Sequence, residues 1–386
     1  MKVFAPRETM PGERRVAITP DSVSRLKKAG LDVLLEHAAG VSASHDDAAY
    51  EAADASIVAN AEQGYAEADL VCKVQPPALE EARALESGAT VISFLQPGQQ
   101  RQLVELYQER RITSFSLELV PRISRAQSMD ALSSQASLGG YKAVLLAANR
   151  LGKYFPMLMS AAGTIAPAKV LVLGAGVAGL QAIATARRLG GVVEAYDVRP
   201  AAKEEVRSLG ATFLELDLES QEGEGGYARE QTEEFLRKQR ELLGERVAAV
   251  DIVITTAAIP GRRSPILVTA EMAQRMPRGS VLVDLAAEGG GNCELTRAGE
   301  VVETPGGAFV DGTTNLPSLV AVDASQLYAR NVATLVQHLV QEGQLHLDLE
   351  DEITAGCCVT HQGRLVSERA KQLLEVAAPA TGGRQP

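Results

Sequence analysis

The amino-acid sequence predicts an α/β fold with two domains, a parallel sheet in each and a cleft between them. The length of 386 residues suits two domains. Short apolar segments typical of strands alternate with helical segments along the chain. One apolar strand also leads into a glycine-rich turn that opens a helix, at residues 170–180. This strand–turn–helix unit is typical of the start of a nucleotide-binding fold. Together with the strand–helix alternation along the chain, it leads us to expect that both domains are Rossmann-like.

The first series of strands and helices lies in the N-terminal part of the chain. Thr19 is expected to cap the first helix, with Pro20 at its first position. Strand–helix alternation predicts a parallel sheet that helices cover on both faces. The predicted strands are 2–5, 33–36, 56–59, 70–74, 90–94 and 113–116, and the predicted helices are 21–29, 61–66, 78–84 and 99–109.

The second series follows a long helical segment at residues 127–150. Residues 219–234 are rich in glycine and begin with almost no apolar side chains, which predicts a mobile surface loop. The predicted strands are 169–173, 192–196, 212–215, 252–255, 281–284 and 309–311, and further helices are expected at 180–189, 230–243 and 323–342.

The two domains are expected to be interleaved in sequence. The first domain is predicted to be discontinuous and to contain residues 1–130 and 325–386. The nucleotide-binding domain, residues 131–324, lies between these parts and carries the predicted mobile loop. Residues 377–386 are expected to be disordered.

Composition argues against several classes of protein. Acidic residues exceed basic ones by 49 to 38, and a net charge of −11 argues against binding to nucleic acid or to an anionic membrane. The N-terminus lacks the apolar core of a signal peptide. The apolar run at 170–186 is explained by its glycines better than by a membrane span. The four cysteines and five histidines lack metal-ligand spacing, so we expect reduced cysteines, no metal and a cytoplasmic protein.

The strongest functional motif is the sequence Gly-Ala-Gly-Val-Ala-Gly at residues 174–179. Gly174 allows a tight turn, Gly176 lets the backbone approach a pyrophosphate, and Gly179 lets the helix pack close to the sheet. The free N–H groups at the helix N-terminus attract phosphates. The motif predicts a dinucleotide site, and the alternative is a glycine-rich turn without a ligand.

The acidic residue that ends the next strand, Asp197, favours NAD(H) over NADP(H). Its carboxylate can accept both ribose hydroxyls and would repel a 2′-phosphate. Arg199 leaves an alternative open, because an arginine near the ribose can bind a 2′-phosphate, the adenine or the pyrophosphate. Val177 and Val198, which adjoin the glycines and Asp197, are assigned to the same site.

A segment rich in side-chain donors and acceptors, residues 121–135, precedes the long helix. It contains Arg122, Gln127, Asp130 and Ser133. One interpretation is structural: serine and aspartate cap the helix, and the arginines face solvent. The other is functional: the segment is a polar clamp beside the nicotinamide, in the cleft between the domains.

Over nearly its whole length, the chain resembles the NAD(H)-binding component of the proton-translocating nicotinamide nucleotide transhydrogenase family, in its split-subunit form. The most specific features are the Arg-x-x-x-x-Gln-x-x-Asp pattern at 122–130 and the Gly-Gly-Tyr-Ala sequence at 225–228. The resemblance also rests on segments 14–20, 121–141, 174–186, 254–257 with 259–261, 284–286 and 290–293.

The resemblance implies a Re/Si-specific, proton-translocating NAD(P)⁺ transhydrogenase. Hydride would pass directly between NADH bound on this chain and NADP⁺ bound on a partner subunit, coupled to proton movement across a membrane. The implied partners are the NADP(H)-binding and membrane-spanning subunits and a second copy of this chain in a homodimer. The chain would then be peripheral, on the cytoplasmic face of the membrane.

The resemblance also assigns roles to the polar segment. Arg122, Gln127 and Asp130 would form the catalytic loop at the nicotinamide. Gln127 would bond to the NADP(H) side, and Asp130 with Ser133 would hold the nicotinamide and its carboxamide. The chemistry needs no acid or base here, since orientation of the two rings is the main contribution of the protein.

Four further residues are assigned to the site by the same resemblance. Gly226 and Tyr227 would belong to a mobile loop that closes over the bound nucleotide and excludes water. Gln239 and Ala258 would line the same site.

Two alternatives stay open. The chain also resembles alanine dehydrogenases. In this chain, Arg15 and Lys73 occupy the positions at which that family binds its substrate. The catalytic histidine of that family corresponds to Gln96, so the general acid–base group would be missing. Arg15 and Lys73 are then structural, or they form an interdomain ion pair. The third interpretation is a nucleotide-sensing or scaffolding module without turnover.

Overall fold

The computed structural model describes residues 1–215, 233–258 and 263–376. Most of the predicted mobile loop lies outside the described residues, and so does the predicted disordered tail. The described chain forms two compact units. The first contains Met1–Gln135 and the chain from Ser318 onward, and the second contains Ala136–Pro317. The sequence placed the corresponding boundaries after residues 130 and 324.

The strands of the described chain are short, as is typical of α/β proteins. They are β1 (Lys2–Ala5), β2 (Asp32–Glu36), β3 (Ser56–Val58), β4 (Leu70–Cys72), β5 (Thr90–Ser93), β6 (Thr113–Ser116), β7 (Leu158–Ser160), β8 (Gly163–Ile165), β9 (Lys169–Leu173), β10 (Val192–Tyr196), β11 (Thr212–Phe213), β12 (Ile252–Thr255), β13 (Val281–Asp284), β14 (Val301–Glu303), β15 (Phe309–Asp311), β16 (Val340–Gln341), β17 (Gln344–Leu345), β18 (Cys358–His361) and β19 (Arg364–Leu365).

The helices range from one turn to more than five. They are α1 (Pro20–Lys28), α2 (Asp47–Ala52), α3 (Ala61–Glu67), α4 (Leu79–Ala84), α5 (Arg101–Glu109), α6 (Ala131–Arg150), α7 (Val177–Arg188), α8 (Ala202–Ser208), α9 (Glu233–Val247), α10 (Ala270–Gln274), α11 (Ala321–Leu339), α12 (Glu352–Cys357) and α13 (Glu368–Val376). In the described ranges, none of these helices has both the length and the apolarity that a membrane crossing requires.

The first unit is built on a sheet that has eight strands in the described chain, in the order β19-β18-β6-β5-β4-β1-β2-β3. From β6 to β3 every neighbouring pair is parallel. Core residues such as Phe4, Val71 and Ile92 are fully buried, as expected for strands between two layers of helices. At the other edge, β18 is antiparallel to β6, and β19 is antiparallel to β18. The sequence pattern does not predict this extension.

The second unit is built on a sheet that has seven strands in the described chain, in the order β11-β10-β9-β12-β13-β15-β14. The strands are parallel apart from β14, which is antiparallel to β15. β9 lies between β10 and β12, so the direction in which the chain winds reverses at β9. In open α/β sheets, ligands bind outside the carboxyl ends of the strands at this point. Gly174 and Thr256 follow directly after β9 and β12.

The predicted α/β class with two domains is confirmed, and several strands have the predicted bounds. These strands are β1, β6, β9, β10, β12, β13 and β15. Several helices begin at other residues than predicted, and α6 and α7 are the two that concern the candidate site. α6 begins at Ala131 because Ser124–Met129 forms a 3-10 helix, and α7 begins at Val177, directly after Gly176. The hairpin of β7 and β8 has only three residues in each strand and no sequence pattern that reveals it.

Two glycines bring helices of the second unit into close backbone contact. A Cβ atom at Gly179 in α7 would lie 1.9 Å from the carbonyl oxygen of Gly174, and one at Gly140 in α6 would lie 2.0 Å from that of Ala178. Such distances are far below a van der Waals contact, so a side chain at either position would push the backbone apart. Gly140 thereby allows α6 to pack against the first turn of α7.

We predict that Gly140→Ala destabilises the chain, whereas Gly139→Ala does not. The added methyl group at Gly140 would overlap a backbone oxygen, which should cost about 1–3 kcal/mol or more. At Gly139 the nearest atom to a Cβ is a Leu285 methyl carbon at 3.7 Å. There alanine should be neutral, or stabilising by up to about 1 kcal/mol, because it favours the helix. Urea unfolding of both variants measures this, and equal stability of the two would contradict it.

Candidate functional site

The glycine motif forms a tight turn between β9 and α7. Gly174 has φ +101°, a conformation that favours glycine. Gly176 is exposed, and a Cβ placed there would meet no atom within 4 Å, so the space in front of it is open. Gly176 is the N-cap residue of the twelve-residue helix α7, and no side chain caps the N–H groups of the first turn. The N–H groups of the first turn of α7 thus face an open surface, which fits a pyrophosphate.

Asp197, at the carboxyl end of β10, is tied to this turn. Its side chain is 8% exposed, and its Oδ2 accepts a 2.7 Å hydrogen bond from the backbone N–H of Ala175. The guanidinium of Arg199 forms two more bonds, from Nε to Oδ1 and from Nη2 to Oδ2, both 3.0 Å. The structure therefore brings together the predicted glycines, Asp197 and Arg199 at one edge of the sheet.

A second loop, which follows β12 and in which the sequence analysis assigned a role only to Ala258, supports the glycine turn. The Thr256 hydroxyl donates to the carbonyl oxygen of Gly174 at 3.1 Å. The next residue, Ala257, is held by Asn292, whose Oδ1 accepts from its N–H at 2.9 Å and whose Nδ2 donates to its carbonyl at 2.7 Å. Because both the N–H and the carbonyl of Ala257 are fixed, the loop after β12 has a defined position beside Gly174.

Asn292 is held in turn by the buried carboxylate of Asp284, at the end of β13. Asp284 Oδ2 accepts from the Asn292 N–H at 2.7 Å and from the Thr296 hydroxyl at 2.6 Å. Its Oδ1 accepts from the Thr255 hydroxyl at 2.8 Å. An aspartate at the end of an apolar strand is the signal that could have identified this support.

Two residues assigned to the cofactor site have contrasting environments. Ala258 is exposed, in the loop after β12. Gln239 is buried, and its Nε2 donates to the Tyr196 hydroxyl at 3.0 Å, which joins α9 to β10 next to Asp197. Of the flanking valines, Val177 is exposed and Val198 is half-buried. Gly226 and Tyr227 lie outside the described residues.

The polar segment belongs to the first unit. Asp130 lies directly before α6, and its carboxylate accepts from the backbone N–H of Ser133 at 2.8 Å and from its hydroxyl at 2.6 Å. These bonds agree with the capping interpretation and also bring Asp130 and Ser133 together. Gln127 is exposed and Arg122 lies near the start of the segment. Asn331 of α11, not identified from the sequence, donates to the Ser128 carbonyl at 2.8 Å and so fixes the 3-10 helix.

Arg15 forms a buried ion pair within the first unit. Its Nε and Nη2 donate to the two carboxylate oxygens of Glu13 at 2.8 and 2.6 Å, and Gln75 donates to the same carboxylate at 2.7 Å. Nη1 of Arg15 donates to Gln135 at 2.8 Å. Burial alone would raise the pKa of Glu13, but the hydrogen bonds and charge of Arg15 lower it to about 2.

Lys73 lies between two carboxylates of the same unit. Its Nζ is 3.1 Å from Glu81 and 3.4 Å from Glu8. Burial would lower the pKa of Lys73, but these charges raise it above its usual value. Both cations thus have carboxylate partners within their own unit, which agrees with the structural interpretation. Gln96 contributes its backbone N–H, which donates to the buried carboxylate of Glu118.

Histidine, cysteine and acidic side chains are the usual protein ligands of metal ions. In the part of the chain that the structure describes, they do not gather in groups of three or more that could hold a metal ion. The four cysteines are free and buried, and burial raises the pKa of Cys72 to about 12 and that of Cys293 to about 11. These two thiols are therefore protonated near neutral pH.

We predict that Glu13→Gln destabilises the chain at pH 7 by about 3–5 kcal/mol, because it leaves the Arg15 charge buried without its carboxylate. The pKa of Glu13 is lower in the folded chain than in the unfolded one. The ionised Glu13 carboxylate therefore contributes fully to the free energy of unfolding above pH ~4.5, and this contribution falls as the pH decreases toward ~2. Urea unfolding across this pH range should show that the destabilisation caused by Glu13→Gln becomes smaller as the pH falls. The exposed Glu80→Gln is the control, with a change below about 0.5 kcal/mol. Equal stability of the two variants would contradict the assignment.

The chain is similar to known proteins over nearly its whole length. The family model "Alanine dehydrogenase/PNT, N-terminal domain" matches residues 4–139, and "Alanine dehydrogenase/PNT, C-terminal domain" matches residues 143–368. An NAD(P) transhydrogenase subunit alpha of Rhodospirillum rubrum, the first piece of a divided subunit, is 48% identical over 376 residues, which cover 95% of this chain and 98% of the relative. An alanine dehydrogenase of Mycobacterium tuberculosis is 30% identical over 381 residues, covering 96% of this chain and 95% of the relative.

A solved structure is similar over the same extent. The crystal structure of a transhydrogenase from Sinorhizobium meliloti superposes with a TM-score of 0.84 at 43% identity, covering 96% of this chain and all of the other. The family resemblance inferred from the sequence is thereby confirmed. The chain belongs to the alanine dehydrogenase/PNT family, and within it is more similar to transhydrogenase alpha subunits than to alanine dehydrogenase.

Proposed function

We propose that this chain is the NAD(H)-binding subunit of a Re/Si-specific, proton-translocating transhydrogenase. Hydride passes directly between NADH on this chain and NADP⁺ on a partner subunit, and the reaction is coupled to proton translocation. The observation that carries the proposal is the open glycine turn at the N-terminus of α7, joined to the Asp197 carboxylate by the Ala175 amide. The similarity to transhydrogenase alpha subunits supports the choice of reaction.

NAD(H) is held mainly by the second unit. The pyrophosphate binds to the backbone at Gly174–Gly179 and to the first turn of α7, because their N–H groups are accessible and the helix dipole favours negative charge. The Asp197 carboxylate accepts hydrogen bonds from the ribose hydroxyls. Val177, Val198 and Arg199 adjoin this site. Gly226, Tyr227, Gln239 and Ala258 are assigned to the same nucleotide by family resemblance.

The polar segment orients the reacting ring. When bound, NADH supplies the hydride from its nicotinamide. Asp130 and Ser133, already bonded to each other, hold the ring and its carboxamide, and Arg122 lies in the same segment. Gln127 is exposed on the 3-10 helix and bonds to the NADP(H) side. No acid or base is required, because the contribution of the protein is orientation and exclusion of water.

The proposed partners are the NADP(H)-binding subunit, the membrane-spanning subunits and a second copy of this chain. These place the chain on the cytoplasmic face of a membrane without contact with nucleic acid. The hairpin of β7 and β8 supports the homodimer. The hairpin and the residue before it expose Met157, Leu158, Met159 and Ile165, with Met159 72% exposed. Such an apolar surface fits burial against the same hairpin of a second copy.

The first test mixes the purified chain with the NADP(H)-binding component of a transhydrogenase. NADPH should then reduce an NAD⁺ analogue that has its own absorbance, and neither protein alone should do so. The chain alone with pyruvate, ammonia and NADH should give no alanine. Alanine formation would identify an alanine dehydrogenase instead. Tight NADH binding with neither activity would identify a module without turnover.

Gln127→Asn should slow hydride transfer by about tenfold or more while NADH affinity stays nearly unchanged, because a shorter side chain misaligns the second nucleotide. Stopped-flow measurement of transfer and fluorescence titration of NADH separate the two effects. Ser128→Ala, at the exposed neighbouring position, is the matched control and should leave both unchanged. Transfer at the wild-type rate in Gln127→Asn would remove Gln127 from the assigned role.

A further inference from the structure

The side-chain amide of Asn331 connects the two elements that carry the polar segment. Asn331 lies on α11 and is 8% exposed. Its Nδ2 donates to the carbonyl oxygen of Ser128 at 2.8 Å, near the end of the 3-10 helix Ser124–Met129. Its Oδ1 accepts from the hydroxyl of Ser134 at 2.8 Å, in the first turn of α6. A single buried amide is therefore bonded to the chain on both sides of Asp130.

The junction between these two elements is not held by continuous helical hydrogen bonds. Asp130, which separates them, has φ −73° and ψ +82°, outside the α-helical region. The inner face of the 3-10 helix packs through Ala126 and Met129, which are buried in the core of the first unit. Apolar packing has no preferred direction, whereas a hydrogen bond has. The bonds of Asn331 therefore fix the orientation of the 3-10 helix relative to α6.

This orientation determines where the Gln127 side chain lies. The carbonyl that Asn331 holds belongs to Ser128, the residue that follows Gln127. A rotation of the 3-10 helix about its buried face would displace the exposed Gln127, while Asp130 and Ser133 stay bonded to each other at the start of α6. A displacement of about 1 Å can slow a reaction between oriented groups by about 10²-fold.

We infer that Asn331 is a positioning residue for hydride transfer: it holds the 3-10 helix in the orientation at which Gln127 meets the second nucleotide. Asn331 acts through Gln127 and needs no contact with either nucleotide. The inference rests on the proposed function, because it assumes that Gln127 bonds to the NADP(H) side. It extends that function to a residue of another helix, about 200 positions further along the chain.

The test is hydride transfer by Asn331→Ala, with the full chain mixed with the NADP(H)-binding component of a transhydrogenase. At saturating nucleotide, transfer should be slower by about tenfold or more, because the Ser128 carbonyl loses its donor and Gln127 its orientation. NADH affinity should change by less than about twofold, since the glycine turn and Asp197 lie in the second unit. Stopped-flow measurement of transfer and fluorescence titration of NADH separate the two effects.

Ser325→Ala is the matched control on the same helix. Ser325 is fully buried, and its hydroxyl accepts from the N–H of Val16 at 3.1 Å, outside the polar segment. Both substitutions remove a buried hydrogen-bond partner, so both should lower the midpoint of urea unfolding. Only Asn331→Ala should slow transfer. If both variants lose stability and both transfer at the wild-type rate, Asn331 has a structural role alone and the inference is overturned.

A double-mutant cycle with Gln127→Asn tests whether the effect passes through Gln127. In the Gln127→Asn chain, Asn331→Ala should slow transfer by less than about a further twofold, because the side chain that it positions is already changed. The loss of stability should be the same in either background. A second slowing of about tenfold would show that Asn331 acts by another route, and the inference would then fail.

The outcomes separate the inference from the proposed function. If the wild-type chain transfers no hydride in the mixture, or if Gln127→Asn transfers at the wild-type rate, the proposed role of Gln127 fails and the inference with it. If both behave as proposed but Asn331→Ala transfers like the wild type, the inference alone fails. Asn331→Leu, which branches at the same carbon and cannot donate, is measured if the alanine variant does not fold, and the same directions are expected.

Discussion

The second unit depends on the close approach of the α7 backbone to the end of β9. Gly179 permits contact with the Gly174 carbonyl, and Gly140 permits α6 to support the same turn from another side. With the backbone packed so closely, the N–H groups at the start of α7 are directed to open space at the carboxyl edge of the sheet. The proposed site for an anionic ligand is therefore a consequence of packing between helix, strand and helix.

Buried carboxylates fix the loops around these sheets, and they differ in what they leave available. Glu13 and Asp284 accept hydrogen bonds from several protein donors inside the fold and act as structural anchors. The Asp197 carboxylate also accepts several hydrogen bonds, but some of their donors belong to the partly exposed side chain of Arg199. This distinction separates Asp197 from the other two.

The fold class, most central strands and the glycine motif could be predicted because they depend on local patterns: apolar runs, strand–helix alternation and glycine spacing. The antiparallel β18, the role of Gly140 and the link from Asp284 through Asn292 to Ala257 could not. They depend on contacts between residues distant in sequence, and a single chain gives no signal for such pairs. Arg15 and Lys73 show the same limit, since the carboxylates that neutralise their charges become evident only in the folded unit.

In the proposed reaction, hydride passes directly from NADH on this chain to NADP⁺ on a partner subunit. The most direct measurement uses NADH with deuterium at both C4 positions, in the complex assembled with its NADP(H)-binding and membrane subunits, and mass spectrometry of the NADPH formed. With direct transfer, we expect one deuterium in each NADPH, and no label from D₂O when unlabelled NADH is used. Unlabelled NADPH from deuterated NADH, or label acquired from solvent, would contradict it.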